Sequence, residues 1–485
     1  MMNETTWNRE KLERLVRERL GNRRLIIVSN REPYVHSFSN EGITWNQPVG
    51  GLTEALDPVM RASGGGWVAQ GTGDADRQAV DADDHIAVPP DNPAYTLRRV
   101  WLTDEEQTGF YLGFANETLW PLCHMTPIDP VYDETTWKMY RRVNRIFADA
   151  VLEEAGDGKA VVLVQDYHFA LLPAFLRELR PDLTVGQFWH IPWPPYEVFR
   201  TCPWRDEIIT GMLGNDLLGF HTGAFCRNFT DSVERSGVTR GKTGTSVETF
   251  PISVDFEGIS GQADDAAVAA EMANLTREYN LEGKYIGFGT DRLDYTKGIP
   301  ERLMAFERFL ADNPDYRERV VFIQAGMPSR MQIGAYRELG FRIERLITGI
   351  NETCGTGDWR PVIAMSRHLS VDTLNALRRL AHFCIVSSLD DGMNLVAKEY
   401  VAARNDGDGV LVLSEFTGAA VELTDALLIN PYDTRKFAGT IKRAVEMPEA
   451  ERRARMARMR ETVSENNIYR WGAGMVSRLM ELAGD

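Results

Sequence analysis

Leu389-Asp390-Asp391-Gly392-Met393-Asn394-Leu395-Val396-Ala397-Lys398-Glu399 is the stretch on which the fold turns. The apolar run Phe383-Cys384-Ile385-Val386 leads into it and reads as a buried strand. A helical pattern follows, with Leu395, Val396, Tyr400 and Val401 apolar and Lys398 and Glu399 polar. A strand, a tight turn at Gly392 and a helix place backbone N–H groups and a helix dipole at the carboxyl end of the strand. That end attracts a phosphate or diphosphate. Taken alone, the stretch fits an ordinary strand-to-helix loop capped by Asp391 or Asn394 equally well.

The same alternation extends outward. Lys284 to Gly289 reads as a strand, Asp291 to Gly298 as its loop, and Pro300 suits a helix start. Val320 to Gln324 is a strand ending at Pro328-Ser329-Arg330, and Val410 to Leu413 and Ala426 to Ile429 continue the set. Earlier in the chain, Leu25 to Val28 runs into Ser29-Asn30-Arg31-Glu32-Pro33-Tyr34, and Gly50-Gly51-Leu52 opens a helix. Gly64-Gly65-Gly66-Trp67 is a loop that could feed a second strand, and residues 71–93 read as a surface excursion rich in Asp, Gly and Pro. Tyr95 to Trp101 is a strand, a helix starts at Thr103, and Phe110-Tyr111 and Trp120-Pro121 form an aromatic patch suited to core or to a sugar face. Val161 to Val164 ends in Gln165-Asp166-Tyr167-His168, Val185 to Trp189 in His190-Ile191-Pro192, and Asp216 to Thr222 repeats the unit.

This pattern predicts an α/β protein with two Rossmann-like, doubly wound parallel sheets and a ligand cleft between them. The domains are read as 1–255 and 256–466. The helix 467–485 is expected to pack back on the N-terminal domain.

At 485 residues the chain exceeds one core. A net charge of −16 argues against a nucleic-acid partner. The five cysteines are scattered without a C-x-x-C pair, so neither a disulfide framework nor a zinc site is expected. No run of eighteen apolar residues is present, and the Arg- and Glu-rich beginning argues against a secretory signal, so a cytoplasmic location away from membranes is expected. P-loop, His-Glu-x-x-His and Gly-x-Ser-x-Gly motifs are absent.

Arg292 and Lys297 lie in one loop beside a helix start and could neutralise a diphosphate, although either alone could be a solvated charge. Glu399 could accept two ribose hydroxyls or be an exposed helix glutamate. His190 could face a ligand or be a satisfied core histidine. Arg31 could reach a phosphate or form a surface ion pair.

In order, Ser29-Asn30-Arg31, Gly50-Gly51-Leu52, Asp166-Tyr167-His168, His190-Ile191-Pro192, Asp216 to Phe220, Arg292 to Gly298 and Asp391 to Tyr400 resemble the trehalose-6-phosphate synthase family. Glucosylglycerol-phosphate synthases are close relatives. The resemblance covers nearly the whole chain from residue 24 and implies a retaining, metal-independent glycosyltransferase of GT-B fold, with residues 1–255 binding the acceptor and 256–466 the nucleotide-sugar.

It further implies that Gly51 gives backbone access to the donor diphosphate, that Arg292 and Lys297 hold it, and that Glu399 holds the ribose. Asp391 would touch the donor glucose hydroxyls, with Met393, Asn394, Leu395 and Val396 nearby. His190 would lie near the anomeric centre. Arg31, Arg330, Tyr111 and Trp120 would hold the acceptor phosphate, and Trp67 would flank that pocket. His190, Arg292, Lys297 and Asp391 are thus the catalytic set. No cofactor or metal is implied, the nucleotide-sugar being a co-substrate, and a homo-oligomer acting on small molecules is expected.

The implied reaction moves glucose from UDP-, ADP- or GDP-glucose to glucose-6-phosphate. Glycerol-3-phosphate is the alternative acceptor, and a catalytically silent homologue is a further alternative. The chain departs from the family pattern at Asp390, where many relatives have Arg, at Gln165, where His is frequent, and at Lys138.

Overall fold

The computed structural model describes residues 6–40, 42–48, 51–238, 244–367 and 369–484. The chain divides into two compact units, residues 1–252 with 468–485, and residues 253–467.

In the first unit the apolar run at Leu25 lies in β1 (Arg24–Arg31), followed by a hairpin of β2 (Val35–Ser39) and β3 (Gly42–Asn46). Then come β4 (Gly66–Gln70), β5 (His85–Val88), β6 (Tyr95–Val100), β7 (Ala160–Gln165), β8 (Thr184–Phe188), β9 (Leu217–Phe220) and β10 (Ser246–Thr249). Eight of these form one sheet in the order β10-β9-β8-β7-β1-β4-β6-β5. Every pairing in it is parallel except β5 with β6 at the edge. Ile26, Ile27 and Val28 are fully buried, as a central strand covered on both faces requires. Gly64 to Gly66 does feed a strand.

Two stretches differ from the sequence reading. Residues 71–93 are more than a surface excursion, because they supply β5 and the fully buried Asp76. The Asp76 carboxylate accepts the Gly73 N–H at 2.6 Å and faces Arg99 Nη2 at 2.7 Å. A polar segment is buried here because its carboxylate has a buried cation from β6. The helical run after Thr103 begins as expected, with Thr103 and Glu106 forming a capping box. It then continues through Thr108–Leu119 with wider, π-type winding before ending in Trp120–His124. The helix Ile468–Ala483 belongs to this unit and buries Trp471, Met475 and Leu479. It packs on the helices Arg9–Leu20 and Gly51–Ser63.

The second unit holds β11 (Tyr285–Arg292), β12 (Val320–Met327), β13 (Val362–Met365), β14 (Phe383–Val386), β15 (Val410–Ser414) and β16 (Leu427–Ile429). Their order is β13-β12-β11-β14-β15-β16, parallel throughout. β11 and β14 are neighbours at its centre, so the loops that leave their carboxyl ends share one edge. β11 reaches Arg292, so Asp291 and Arg292 are strand residues and the loop proper begins at Leu293.

Candidate functional site

The opening stretch is both a capped turn and a site of converging charge. Asn394 takes a left-handed conformation (φ 76°) and its Oδ1 accepts the Ala397 N–H at 3.2 Å, starting the helix Leu395–Ala403. Its Nδ2 donates to Asp391 Oδ2 at 3.0 Å. That oxygen also accepts from Ser388 Oγ at 3.1 Å and from Lys297 Nζ at 2.6 Å. Asp391 is fixed through its backbone as well, its N–H donating to Phe416 O at 3.1 Å and its carbonyl accepting the Gly418 N–H at 3.1 Å.

Lys297 reaches Asp391 because the β11 and β14 loops are nearly in backbone contact. Gly298 has φ +60°, and a Cβ there would stand 2.1 Å from Ser387 O. The Leu389 N–H donates to Thr296 O at 2.7 Å, and Ser387 Oγ to Gly298 O at 2.9 Å. Beneath them the fully buried Arg302 donates to Asp291 Oδ2 at 2.6 Å, Ser387 Oγ at 2.9 Å and Gln324 Oε1 at 3.2 Å. Burial raises the Asp291 pKa, against Arg302 and Lys297.

Arg292, exposed at the end of β11, and Arg330 complete a basic group around the buried Asp294. Arg330 Nη1 donates to Asp294 Oδ2 at 3.2 Å and to Tyr336 OH at 2.6 Å. Burial opposes ionisation of Asp294, but Arg330, Arg292 and Lys297 outweigh it and its pKa is lowered. The structure therefore brings Arg292, Lys297, Arg330 and Asp391 into one unit at one sheet edge. Met393 is buried and Leu395 and Val396 are half-buried in the same turn. Half-buried Asp390 has its pKa pushed up to about 8, by burial first and by the Asp391 charge second. Glu399 is no free surface carboxylate. It is half-buried and accepts from Arg378 Nη2 of the helix Val371–Leu380.

In the first unit, His190 follows β8. Its N–H donates to Asp166 Oδ1 at 3.1 Å, its carbonyl accepts from His221 Nε2 at 3.0 Å, and its Nε2 lies 3.0 Å from Gln165 Oε1. An amide oxygen only accepts, so with Gln165 in this orientation the network assigns the proton to Nε2. Burial, followed by His221 and His168, lowers the His190 pKa well below the ordinary value and keeps the ring neutral.

Half-buried Tyr111 rides on the π-wound segment and stacks on His168, with centroids 5.8 Å apart. Trp120 packs on His124 at 4.1 Å and Tyr167 at 5.7 Å. Tyr111 and Trp120 thereby meet the residues that follow β7. Arg31 is exposed beyond an irregularity in the β1–β4 register. Gly51 is the first residue of the helix Gly51–Ser63, while Gly50 lies outside the described residues.

Trp67 requires a correction. It is fully buried in β4, its indole N–H donates to Ser29 Oγ at 2.8 Å, and its ring stacks on Tyr95. A tryptophan with no exposed face supports the sheet rather than flanking a pocket.

Sequence reasoning missed Arg302, Arg378 and Asp294 as organisers of the charged edge. The one signal was an Arg or Asp falling on an otherwise apolar helix face or strand end. Among the described residues, no group of three or more His, Cys, Asp or Glu side chains could hold a metal ion, and no helix is long and apolar enough to cross a membrane.

The model of glycosyltransferase family 20 matches residues 23–481. The chain belongs to glycosyltransferase family 20. It is 39% identical over 480 residues to a trehalose-6-phosphate synthase of Mycobacterium avium, covering 95% of this chain and 96% of that one. A bifunctional trehalose-6-phosphate synthase/phosphatase of Thermoproteus tenax is also 39% identical over 94% of this chain, which spans 63% of that longer protein. Among solved structures, an E. coli protein of the trehalose-6-phosphate system bound with UDP-2-fluoro glucose superposes with a TM-score of 0.85 at 31% identity, covering 94% of this chain and 99% of that one. A UDP-forming α,α-trehalose-phosphate synthase of Burkholderia xenovorans in complex with glucose-6-phosphate gives 0.83 at 31% identity over 94% and 99%. The family 20 chain is thus a glycosyltransferase of the trehalose-6-phosphate synthase family, with the GT-B class of fold.

Proposed function

We propose that this family 20 enzyme transfers glucose from a nucleotide-glucose to glucose-6-phosphate with retention of configuration, giving trehalose 6-phosphate. The observation that carries the reading is the Lys297–Asp391 ion pair at the carboxyl edge of the second sheet, with Arg292 beside it. A diphosphate arriving there takes Lys297 from Asp391, and Asp391 then accepts sugar hydroxyls. Lys297 and Arg292 stabilise the charge that grows on the leaving diphosphate. Glu399, braced by Arg378, receives the ribose hydroxyls.

The acceptor hydroxyl attacks from the face that the diphosphate leaves, and a phosphate oxygen takes its proton, so no side-chain base is needed. His190, neutral and fixed through both backbone and ring, lies by the anomeric carbon without itself transferring a proton. Arg31, Tyr111, Trp120 and Arg330 take the acceptor phosphate end. The relatives holding UDP-2-fluoro glucose and glucose-6-phosphate support these substrates. The proposed reaction requires no metal.

The test is a matrix of UDP-, ADP- and GDP-glucose against glucose-6-phosphate and glycerol-3-phosphate, with products identified by NMR. An α,α-linked disaccharide phosphate is expected. Product with glycerol-3-phosphate alone would replace the acceptor, and no product from any pair would overturn the reading in favour of a silent homologue.

A further inference from the structure

The turn that carries Asp391 is held from outside as well as from within. Residues 416–419, which follow β15, lie along it as a strap. The Asp391 N–H donates to Phe416 O at 3.1 Å, the Gly418 N–H to Asp391 O at 3.1 Å and the Ala419 N–H to Met393 O at 2.8 Å. Asp391 and Thr417 pair as a parallel bridge. The two backbones are in contact, since a Cβ on Gly418 would stand 2.1 Å from Gly392 O and 3.1 Å from Met393 Cα. Only glycine allows that approach.

The strap runs into one helical turn, Ala419–Glu422, whose outer side is open, with Val421 69% exposed. Its inner side ends on an ion pair: Lys398 Nζ donates to Glu422 Oε2 at 2.6 Å, and the Lys398 side chain is 1% exposed. Lys398 stands in the helix Leu395–Ala403, which Asn394 starts in the same turn. The ion pair thus closes a ring that leaves Asp391 along the helix and returns to it along the strap. A buried ammonium keeps its carboxylate, because losing it strands a charge in the core. For stability alone such a pair is a poor device, as apolar side chains of similar volume often serve as well.

We propose that Lys398 and Glu422 are positioning residues for glycosyl transfer, holding the strap on the turn so that Asp391 and Met393 keep their aim at the donor glucose. This rests on the transfer reading above. Arg292 and Lys297 stand on β11 and its loop, and Glu399 is braced by Arg378, so the diphosphate and ribose contacts have ties of their own. The strap therefore governs how the sugar is oriented more than how tightly the nucleotide is held. Misplacing a reacting group by about 1 Å can cost about a hundredfold in rate.

The test uses the full-length chain and two variants. Lys398→Met keeps the buried stem and lets the Glu422 carboxylate turn to solvent, while Gly418→Ala pushes the strap off the turn from its other end. Steady-state kinetics with glucose-6-phosphate and UDP-, ADP- or GDP-glucose are measured well below Tm, beside calorimetry of UDP, ADP and GDP binding. In both variants kcat is expected to fall about 10- to 100-fold, with donor KM and nucleoside diphosphate affinity within about threefold. Hydrogen exchange without ligand is the second readout. The amides of Asp391, Gly418 and Ala419 should exchange about tenfold faster in Lys398→Met, while that of Leu389, bonded to Thr296 O at the same edge, stays within about twofold.

Unchanged kcat despite faster exchange overturns the proposal and leaves a stabilising pair only. Nucleotide affinity lost in step with kcat also overturns it, as does unchanged exchange at those amides. If Gly418→Ala does not fold, Lys398→Met decides alone. Wild type that forms no product with any donor sinks the transfer reading, and the exchange pattern then decides by itself whether the pair holds the turn.

Discussion

The carboxyl edges of the two sheets solve the same problem, exposing polar groups above an apolar core, in opposite ways. The edge above β11 and β14 is built from charges, and its buried members are matched: Lys297 with Asp391, Arg302 with Asp291, Arg330 with Asp294. The edge above β7, β1 and β4 sets amides, aromatic rings and a neutral histidine beside Arg31 and Asp166, with several amide atoms unmatched. A buried charge without a partner costs far more than a buried amide without one, so the charged edge is the one whose pairing matters most to stability. On the proposed reading, Lys297 leaves Asp391 for the diphosphate when substrate binds.

That contrast breaks most visibly at Arg302. Arg302→Ala strands the Asp291 carboxylate in the core and is expected to lower unfolding free energy by about 3–5 kcal/mol, read from urea denaturation. Arg302→Ala paired with Asp291→Ala should lose less than the two single costs combined, and simple additivity would show that the pair does not act as one. Next in size, Lys297→Ala should reduce kcat by about 10²–10³-fold at saturating donor, because its charge is used most in the transition state. A change confined to donor KM would place Lys297 in ground-state binding instead. Arg330→Ala should weaken the phosphorylated acceptor by about 1.5–3 kcal/mol and the donor far less. Equal losses, measured by calorimetry, would assign it to the donor cations with which it shares Asp294.

The smallest effect concerns Asp390. Its pKa lies at about 8 in the folded chain, above the usual carboxylate value, so the folded state holds a proton that the unfolded state has released. Stability contributed by this group is present at acidic pH and falls as pH rises between about 4 and 8. Asp390→Asn should therefore gain in Tm relative to wild type between pH 5 and pH 9. Its donor KM should also lose the rise expected above pH 8, where a second anion beside Asp391 repels the diphosphate. A constant Tm difference across that range would show that Asp390 does not titrate there.

The sheets were legible because buried parallel strands read as unbroken apolar runs, such as Leu25 to Val28 and Phe383 to Val386. Arg292, Lys297 and Asp391 could be read as one group because adjacent central strands carry their loops to one edge. What stayed hidden depended on pairing across distance. Asp76 reads as solvent-exposed until Arg99 is placed above it, and Arg302 reads as an ordinary helix cation until Asp291, Ser387 and Gln324 surround it. Trp67 is expected beside the acceptor from the family resemblance, but it is buried and its indole N–H is already taken by Ser29. The edge strands β5 and β13, no shorter than β14 but only partly buried, do not read as strands from the sequence.

The π-wound segment that carries Tyr111 bears on where this chain can change length. Its 12 residues, Thr108 to Leu119, are bounded by helical turns tied to Glu106 and Trp120. Each residue of an α-helix turns the chain by about 100°, so removing one from this loosely wound stretch swings Tyr111 to another compass bearing while its ends stay moored. The segment works as an adjusting screw: length changes there re-aim an aromatic face without asking the sheet beneath to move.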